Sequence, residues 1–202
     1  MKKGSRSVDE AVTRVRLALE SGELTADDLT ARQLGAFLGQ TTSVLYHHWG
    51  SLDGFLWAVS LSGLDRMADS LDELVSNDRG LTTVAESYLE QAFSQPALYA
   101  LMLEHPFDWM ALEKAGLLAR ERERSMRGWN LLVTLFERLG SNSPSEDARL
   151  FQASLHGIAR LTATGRMNVG DRDSSDREAA LRSARRLARM FLQSIQSRRA
   201  ER

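Results

Sequence analysis

The sequence predicts an all-α protein of about nine helices. Among its 202 residues, 31 Leu and 23 Ala outnumber Val and Ile, which together total 11, and this bias favours helix over strand. No segment shows the alternation of apolar and polar residues that is typical of a strand. With 43% hydrophobic residues and a net charge of −1, we expect the chain to form a packed core.

Capping patterns and chain-breaking residues predict the helices of the first half. A Ser or Thr followed three residues later by Glu or Gln predicts a helix start, and this pattern occurs at Ser7 and at Thr30. Gly39 is expected to stop the second helix. The predicted helices lie near 8–20, 30–38, 41–47, 51–75 and 81–94.

Prolines divide the second half. Pro96 fits the first position of a short helix that runs to about residue 104, and Pro106 forces a break. The apolar residues that follow predict one long helix that ends at Gly140. Pro144 follows Ser143, the first residue of a capping pattern, so a helix to about Gly165 is expected. After a loop over 166–174, a last helix is expected to start near 175.

Several protein classes are excluded by missing residues or motifs. The chain contains no cysteine, which excludes disulfides, thiolate metal sites and cysteine nucleophiles. It has no glycine-rich phosphate loop, nucleophile elbow or His-Glu metal motif, so we expect neither an enzyme nor a cofactor. We expect a cytoplasmic protein, because the sequence shows no secretory signal and no apolar run long enough to span a membrane.

The strongest functional pattern lies in the cluster of short helices. Two short helices around a glycine turn, between a first helix and a long one, are typical of a helix-turn-helix DNA-binding unit. The stretch from Thr30 reads TARQLGAFLGQTTSVLYHHW. Its turn glycine Gly39, the hydroxyl residues after it, Tyr46 and the aromatic Trp49 resemble the head of TetR-type transcriptional regulators over about residues 8–60.

This resemblance implies a DNA-binding head over residues 1–50 and a ligand-binding and dimerisation domain over 51–202. Thr41 is expected to cap the recognition helix, although its neighbouring hydroxyl residues could serve only as caps and Tyr46 could cover a core edge. Four apolar residues are expected to pack the two short helices against Val12 and Val15: Leu34, Phe37, Val44 and Leu45. The predicted DNA-contact residues are Arg32, Thr41, Thr42, Ser43, Tyr46, His47 and His48.

Charge sets this head apart from a strongly cationic DNA-binding surface. Residues 1–50 contain six basic and six acidic side chains, and Leu52 stands where the family usually has a lysine that reaches a phosphate. Affinity from counterion release grows with the number of neutralised phosphates, at a log–log salt slope of about −0.9 per contact. We therefore expect a shallow salt dependence, with most positive charge from Arg32 and from the N-terminal Lys2, Lys3 and Arg6.

A small hydrophobic effector is the ligand that the resemblance implies for the body. Aromatic residues concentrate in the middle helices, where Pro106 interrupts the backbone and irregular structure could open a pocket. Such aromatics could equally be ordinary core, and the two histidines here could simply fill helix interfaces. The predicted ligand-binding residues are Phe93, Tyr99, Met102, His105, Phe107, Trp109, Trp129 and His156.

The family pairs its last two helices into a four-helix bundle, which implies a homodimer. The residues predicted for this interface are Leu155, Leu181, Ala184, Ala188, Phe191 and Ile195. Residues 177–202 contain eight arginines and two glutamates, a pattern interpreted as a solvated helix face.

Together these observations predict a homodimeric, ligand-responsive repressor that binds a palindromic double-stranded DNA operator and is released by its effector. The helix over 51–75, or a bend at Gly80, would couple the two sites. Two alternatives remain: a helical sensor or scaffold that has lost DNA binding, and an enzyme built on a helical bundle.

Overall fold

The computed structural model describes residues 3–169 and 174–200, except for the side chains of 3–8, 42, 44, 199 and 200. All regular elements in these ranges are helical, which confirms the predicted fold class. A single 3-10 turn, Ala26–Asp28, lies between the first two helices. The eleven α-helices are α1 (Lys3–Ser21), α2 (Ala31–Leu38), α3 (Thr42–Trp49), α4 (Leu52–Ser76), α5 (Leu81–Ser94), α6 (Pro96–Leu103), α7 (Trp109–Lys114), α8 (Leu117–Arg120), α9 (Arg122–Arg138), α10 (Pro144–Ala163) and α11 (Asp176–Ala200).

The count exceeds the predicted nine because the region before Gly140 is divided into α7, α8 and α9. Gly116 adopts a left-handed conformation, with φ 70°, which is accessible to glycine at little cost and ends α7. Its N–H donates to the carbonyl of Glu113 at 2.8 Å. The expectation of one long helix was therefore wrong.

The predicted caps are formed at some helix starts and not at others. Thr30 accepts the backbone N–H of Gln33 at 3.3 Å, and Ser175 and Glu178 form a reciprocal capping box at the start of α11. The first helix already begins at Lys3, so Ser7 lies inside it rather than at its start. Ser143 precedes α10 without a side-chain capping bond; its own N–H donates to the hydroxyl of Ser141 at 3.0 Å.

The described chain forms two compact units. Unit 1 comprises Met1–Met67 and Ser94–Arg127. Its core joins the first four helices to α6 and the segment that follows, and Phe55 is completely buried there. The predicted packing of Leu34 and Leu45 with Val15 is confirmed, since all three are fully buried in this core. The side chain of Val44 lies outside the described residues.

Unit 2 comprises Ala68–Phe93 and Gly128–Arg202. Its most extensive helix pair is α10 with α11. Phe136, Phe151 and Phe191 form a three-ring cluster in which every pair of ring centroids is 5.5–5.7 Å apart. Such edge-to-face contacts add to the stabilisation that burial provides.

No helix in the described ranges is long and apolar enough to cross a membrane.

Candidate functional site

The recognition helix α3 is held in a tight helix-turn-helix. Gly39 ends α2 in the left-handed region, with φ 66°, and its N–H donates to the carbonyl of Ala36 at 3.2 Å. The N–H of Gln40 then donates to the carbonyl of Gly35 at 2.9 Å. This geometry satisfies the last carbonyls of α2. Only Thr41 then separates Gln40 from the start of α3 at Thr42.

One side of α3 is exposed while Leu45 anchors the other side in the core. Ser43, Tyr46 and His47 are exposed at positions i, i+3 and i+4, so they share one helix face. We call these three residues the α3 face. Thr41 and His48 are exposed beside it; Thr41 holds the N-cap position but makes no side-chain capping bond, contrary to the cap expected there. The side chain of Thr42 lies outside the described residues.

Two of the three head arginines whose side chains the structure describes make internal contacts. Arg14 donates to the backbone carbonyl of Phe37 at 3.2 Å, and its guanidinium lies 5.5 Å from the centre of the Phe37 ring. Arg16 is buried and pairs with Glu20. Arg32 is exposed on the first turn of α2. Of the predicted N-terminal cations, Lys2 and the side chains of Lys3 and Arg6 lie outside the described residues.

The junction between α3 and α4 depends on a glycine that the sequence analysis missed. A Cβ atom on Gly54 would lie 2.2 Å from the carbonyl oxygen of Trp49, so only glycine lets the end of α3 approach α4 this closely. The rings of Trp49 and Phe55 are 4.6 Å apart, edge to face. Leu52, at the position where lysine was expected by resemblance, packs against the core of unit 1.

The structure brings part of the predicted ligand site together around Trp57. The centroid of this ring lies 5.5 Å from those of both Phe107 and Trp109, and the ring of His105 lies 4.5 Å from that of Phe107. The indole Nε1 of Trp57 and the hydroxyl of Ser60 are buried and have no hydrogen-bond partner among the described residues. Buried polar groups without partners are uncommon.

Asp53 links this aromatic cluster to the start of α4. One of its oxygens accepts the backbone N–H of Asp108 at 2.7 Å, and the other lies 4.0 Å from Nε2 of His105. Asp108 in turn caps α7 by accepting the N–H of Ala111 at 2.9 Å. The sequence did not predict Asp53 or Trp57 as site residues. The two lie one helical turn apart on α4 and therefore share a helix face.

The remaining predicted ligand-site residues lie in both units. Tyr99 is buried in unit 1, where Met102 packs against the core. In unit 2 the guanidinium of Arg177 lies over the ring of Phe93, and that of Arg149 over the ring of Trp129. His156 is partly buried in unit 2.

The predicted dimer residues lie mainly inside unit 2. Four of them are buried within the single chain: Leu155, Ala184, Ala188 and Ile195. Phe191 belongs to the three-ring cluster, and Leu181 is partly buried. The outer faces of the same two helices expose Leu150, Leu161 and Met190.

In the described ranges no group of three or more His, Asp or Glu side chains could hold a metal ion.

Comparison with known families decides what this architecture is. Residues 81–191, more than half of the chain, match the family described as tetracyclin repressor-like, C-terminal domain. The chain belongs to the TetR family. The match covers the body rather than the helix-turn-helix, so it is independent of the motif that suggested the family from the sequence. No curated protein matches the chain.

Two solved structures share the fold of this protein along almost the whole chain. A protein of unknown function from Rhodococcus sp. RHA1 is 21% identical with a TM-score of 0.64, over 91% of this chain and 94% of that chain. A transcriptional regulator from Cytophaga hutchinsonii ATCC 33406 is 16% identical with a TM-score of 0.52, over 92% and 96%. At these identities the likeness concerns the fold, while the TetR family as such is regulatory rather than catalytic.

Proposed function

We propose that this TetR-family protein is a cytoplasmic repressor that binds a palindromic DNA operator as a homodimer and is released by a small hydrophobic effector. The observation that carries the proposal is the α3 face, on which Ser43, Tyr46 and His47 are exposed while Leu45 fixes the helix from behind. A recognition helix enters the major groove with such a face toward the bases and phosphates. Arg32, Thr41, Thr42 and His48 are the further proposed contacts.

The dimer is proposed to form through the outer faces of α10 and α11. Leu150, Gly157 and Leu161 follow one another at i, i+7 and i+11 on α10, and all three are exposed. Met190 on α11 is also exposed, by 56%. A Cβ on Gly157 would meet nothing within 4 Å, so a partner helix has room for close approach here. The predicted dimer residues that are buried within the chain would then pack beneath this surface.

The aromatic cluster around Trp57 is the proposed effector site. Its rings offer apolar contact, and the indole N–H of Trp57, which has no partner within the described ranges, offers a hydrogen bond to an acceptor on the effector. An effector that moves the segment with His105 and Asp108 would disturb the bond to Asp53. Asp53 lies in the first turn of α4, four residues after the end of α3, so the disturbance would reach the recognition helix directly.

Selection of bound sequences from a random DNA pool tests the proposed DNA binding. The proposal predicts enrichment of a palindrome whose half-sites are about 34–36 Å apart between centres, one helical turn, as a helix-turn-helix dimer requires. Failure to enrich any sequence would favour the alternative of a sensor that has lost DNA binding. Arg32→Gln should weaken binding to the enriched sequence, whereas Arg122→Gln, an exposed arginine of the same unit, should not.

A thermal-shift screen of small aromatic compounds tests the effector site. Compounds that bind the native state raise Tm by mass action, and those that also release the operator are effectors. Trp57→Phe keeps the ring packing but removes the N–H, so it should weaken compounds that carry an acceptor more than those that do not. If every compound raised the Tm of the wild type and of Trp57→Phe equally, the effector would bind elsewhere.

A further inference from the structure

The exposed side of α11 carries a compact cluster of guanidinium groups that ends beside Met190 of the proposed dimer surface and is not among the residues proposed for that surface. Arg182, Arg185, Arg186 and Arg189 occur at i, i+3, i+4 and i+7, and all four side chains are exposed. Residues at this spacing share one helix face over about 10 Å of helix length. We call them the α11 arginines.

These arginines line a cleft rather than a convex surface. The cleft has a volume of about 610 Å³, and its other walls are Met167, Asn168, Val169, Ala179 and Ser183. This size falls within the range of small-molecule sites in proteins, about 300–1,000 Å³. The wall from Met167 to Val169 adds apolar surface beside the charges, and Val169 is 84% exposed.

Two of the four guanidinium groups are uncommitted in the described chain. Arg185 pairs with Glu86, and Arg182 donates to the hydroxyl of Ser174 at 2.6 Å. Arg186 and Arg189 have no hydrogen bond or ion pair with any residue that the structure describes.

Two carboxylates at the start of α11 accept backbone N–H groups near the cleft. Asp176 accepts the backbone N–H of Asn168 at 2.7 Å, and Glu178 accepts that of Ser175 at 2.8 Å. Glu86 pairs directly with Arg185, while Arg186 and Arg189 keep positive charge on the described walls of the cleft.

We propose that this cleft binds a small amphipathic anion that carries a phosphate or another multiply charged acid group. Planar guanidinium groups bind phosphate and carboxylate oxygens through paired charge-assisted hydrogen bonds, and Arg186 and Arg189 supply them here. The apolar part of the ligand lies against Met167 and Val169. This is a second ligand site, located in unit 2, whereas the proposed effector cluster around Trp57 lies in unit 1.

A small anion fits the cleft better than duplex DNA does. Phosphates along a DNA strand extend the charge over tens of ångströms, and proteins that bind them follow the backbone with spaced cations. The α11 arginines instead line one cleft. Glu86 on α5 pairs with Arg185 of this cleft, and Glu90 on the same helix pairs with Arg177. A second duplex would meet these carboxylates.

Isothermal titration of the full chain with inorganic pyrophosphate and with octyl phosphate tests the proposal. Both should bind one site per chain, and octyl phosphate should bind more tightly than inorganic phosphate, titrated for comparison, because of the apolar wall. The double variant Arg186→Gln/Arg189→Gln should weaken both by about tenfold or more, since two charge-assisted interactions are lost. It should fold normally, because neither side chain has a partner in the described chain.

The control is Arg79→Gln/Arg122→Gln, which removes the same charge at two other exposed arginines and should leave both affinities unchanged. The proposal is overturned if the wild-type chain binds neither anion, or if both double variants weaken binding equally, because a diffuse field would then suffice. It is also overturned if a random-sequence DNA duplex, and no small anion, depends on Arg186 and Arg189.

Discussion

At the scale of single residues, the placement of the recognition helix depends on Gly54. Its missing Cβ leaves room for the carbonyl oxygen of Trp49, which would otherwise lie 2.2 Å away. Sequence reasoning identified Gly39 as the turn glycine because it interrupts a helical pattern. It could not identify Gly54, because this residue lies inside a continuous helix and its role depends on a neighbouring backbone that only the fold reveals.

Gly54→Ala should therefore destabilise the protein, although the same change inside an exposed helix stabilises by about 1 kcal/mol. Overpacking at a fixed backbone contact costs about 1–3 kcal/mol, and relief requires α3 to move away from α4. Urea unfolding measures the stability, and gel shift on the selected operator measures the binding. Gly80→Ala is the control, since a Cβ there meets nothing within 4 Å; a Gly54→Ala protein as stable as this control would contradict the proposed contact.

Asp28 gives the head a defined response to acid. Its carboxylate accepts the backbone N–H and the hydroxyl of Thr25, both at 2.8 Å, and these bonds lower its pKa. A lowered pKa in the folded state means that the contribution to stability is present above the ordinary pKa and is lost as the pH falls through the folded value. Asp28→Asn should thus lower Tm more at pH 7 than at pH 2. An equal difference at both pH values would contradict this assignment.

At the scale of elements, the sequence predicted most helices because apolar spacing and breakers are local signals. It missed the division of α7, α8 and α9, where Gly116 adopts φ 70° within an apolar pattern that could continue through it. Caps were predicted where a side chain bonds to its own turn, as at Thr30. At Ser143 the backbone N–H, which a capping box would direct to Glu146, donates instead to the hydroxyl of Ser141, and such a competing acceptor cannot be read from spacing.

The end of α11 is attached to α10 by a buried carboxylate. Asp147 accepts a bond from Arg198 at 3.0 Å and one from Ser141 at 2.5 Å, and its side chain is only 8% exposed. Arg198→Ala should destabilise the protein by about 1–3 kcal/mol, because a buried acceptor loses a charged donor. Arg189→Ala, at a position without a partner among the described residues, should change stability by less than about 0.5 kcal/mol. Equal effects of both variants in urea unfolding would refute the role of Asp147.

At the scale of the whole molecule, charge decides how the protein is expected to hold DNA. The sequence showed a head without net charge, and the structure engages Arg14 and Arg16 internally and buries Leu52 in part.

What the sequence could not show is which faces of α10 and α11 point outward. Both helices carry apolar residues on more than one side, and only the packing of the two helices determines which set becomes core.

Operator affinity should therefore depend weakly on salt. Each neutralised phosphate contributes about −0.9 to the log–log slope, so a dimer with few ionic contacts should give a slope shallower than about −8. Fluorescence anisotropy on the selected operator between 50 and 300 mM KCl, roughly the range in which the effect is large, measures it. A slope steeper than about −8 for the dimer would contradict this expectation.

The central claim is that the α3 face contacts the operator, and the most direct measurement compares operator affinity of the wild-type chain with that of Ser43→Ala/Tyr46→Ala. Both side chains are exposed, so folding should be unaffected, and loss of their contacts should weaken binding by about tenfold or more. Met110→Ala, which truncates an 82% exposed side chain of unit 1, should bind like the wild type. Undiminished affinity of the double variant would contradict the claim.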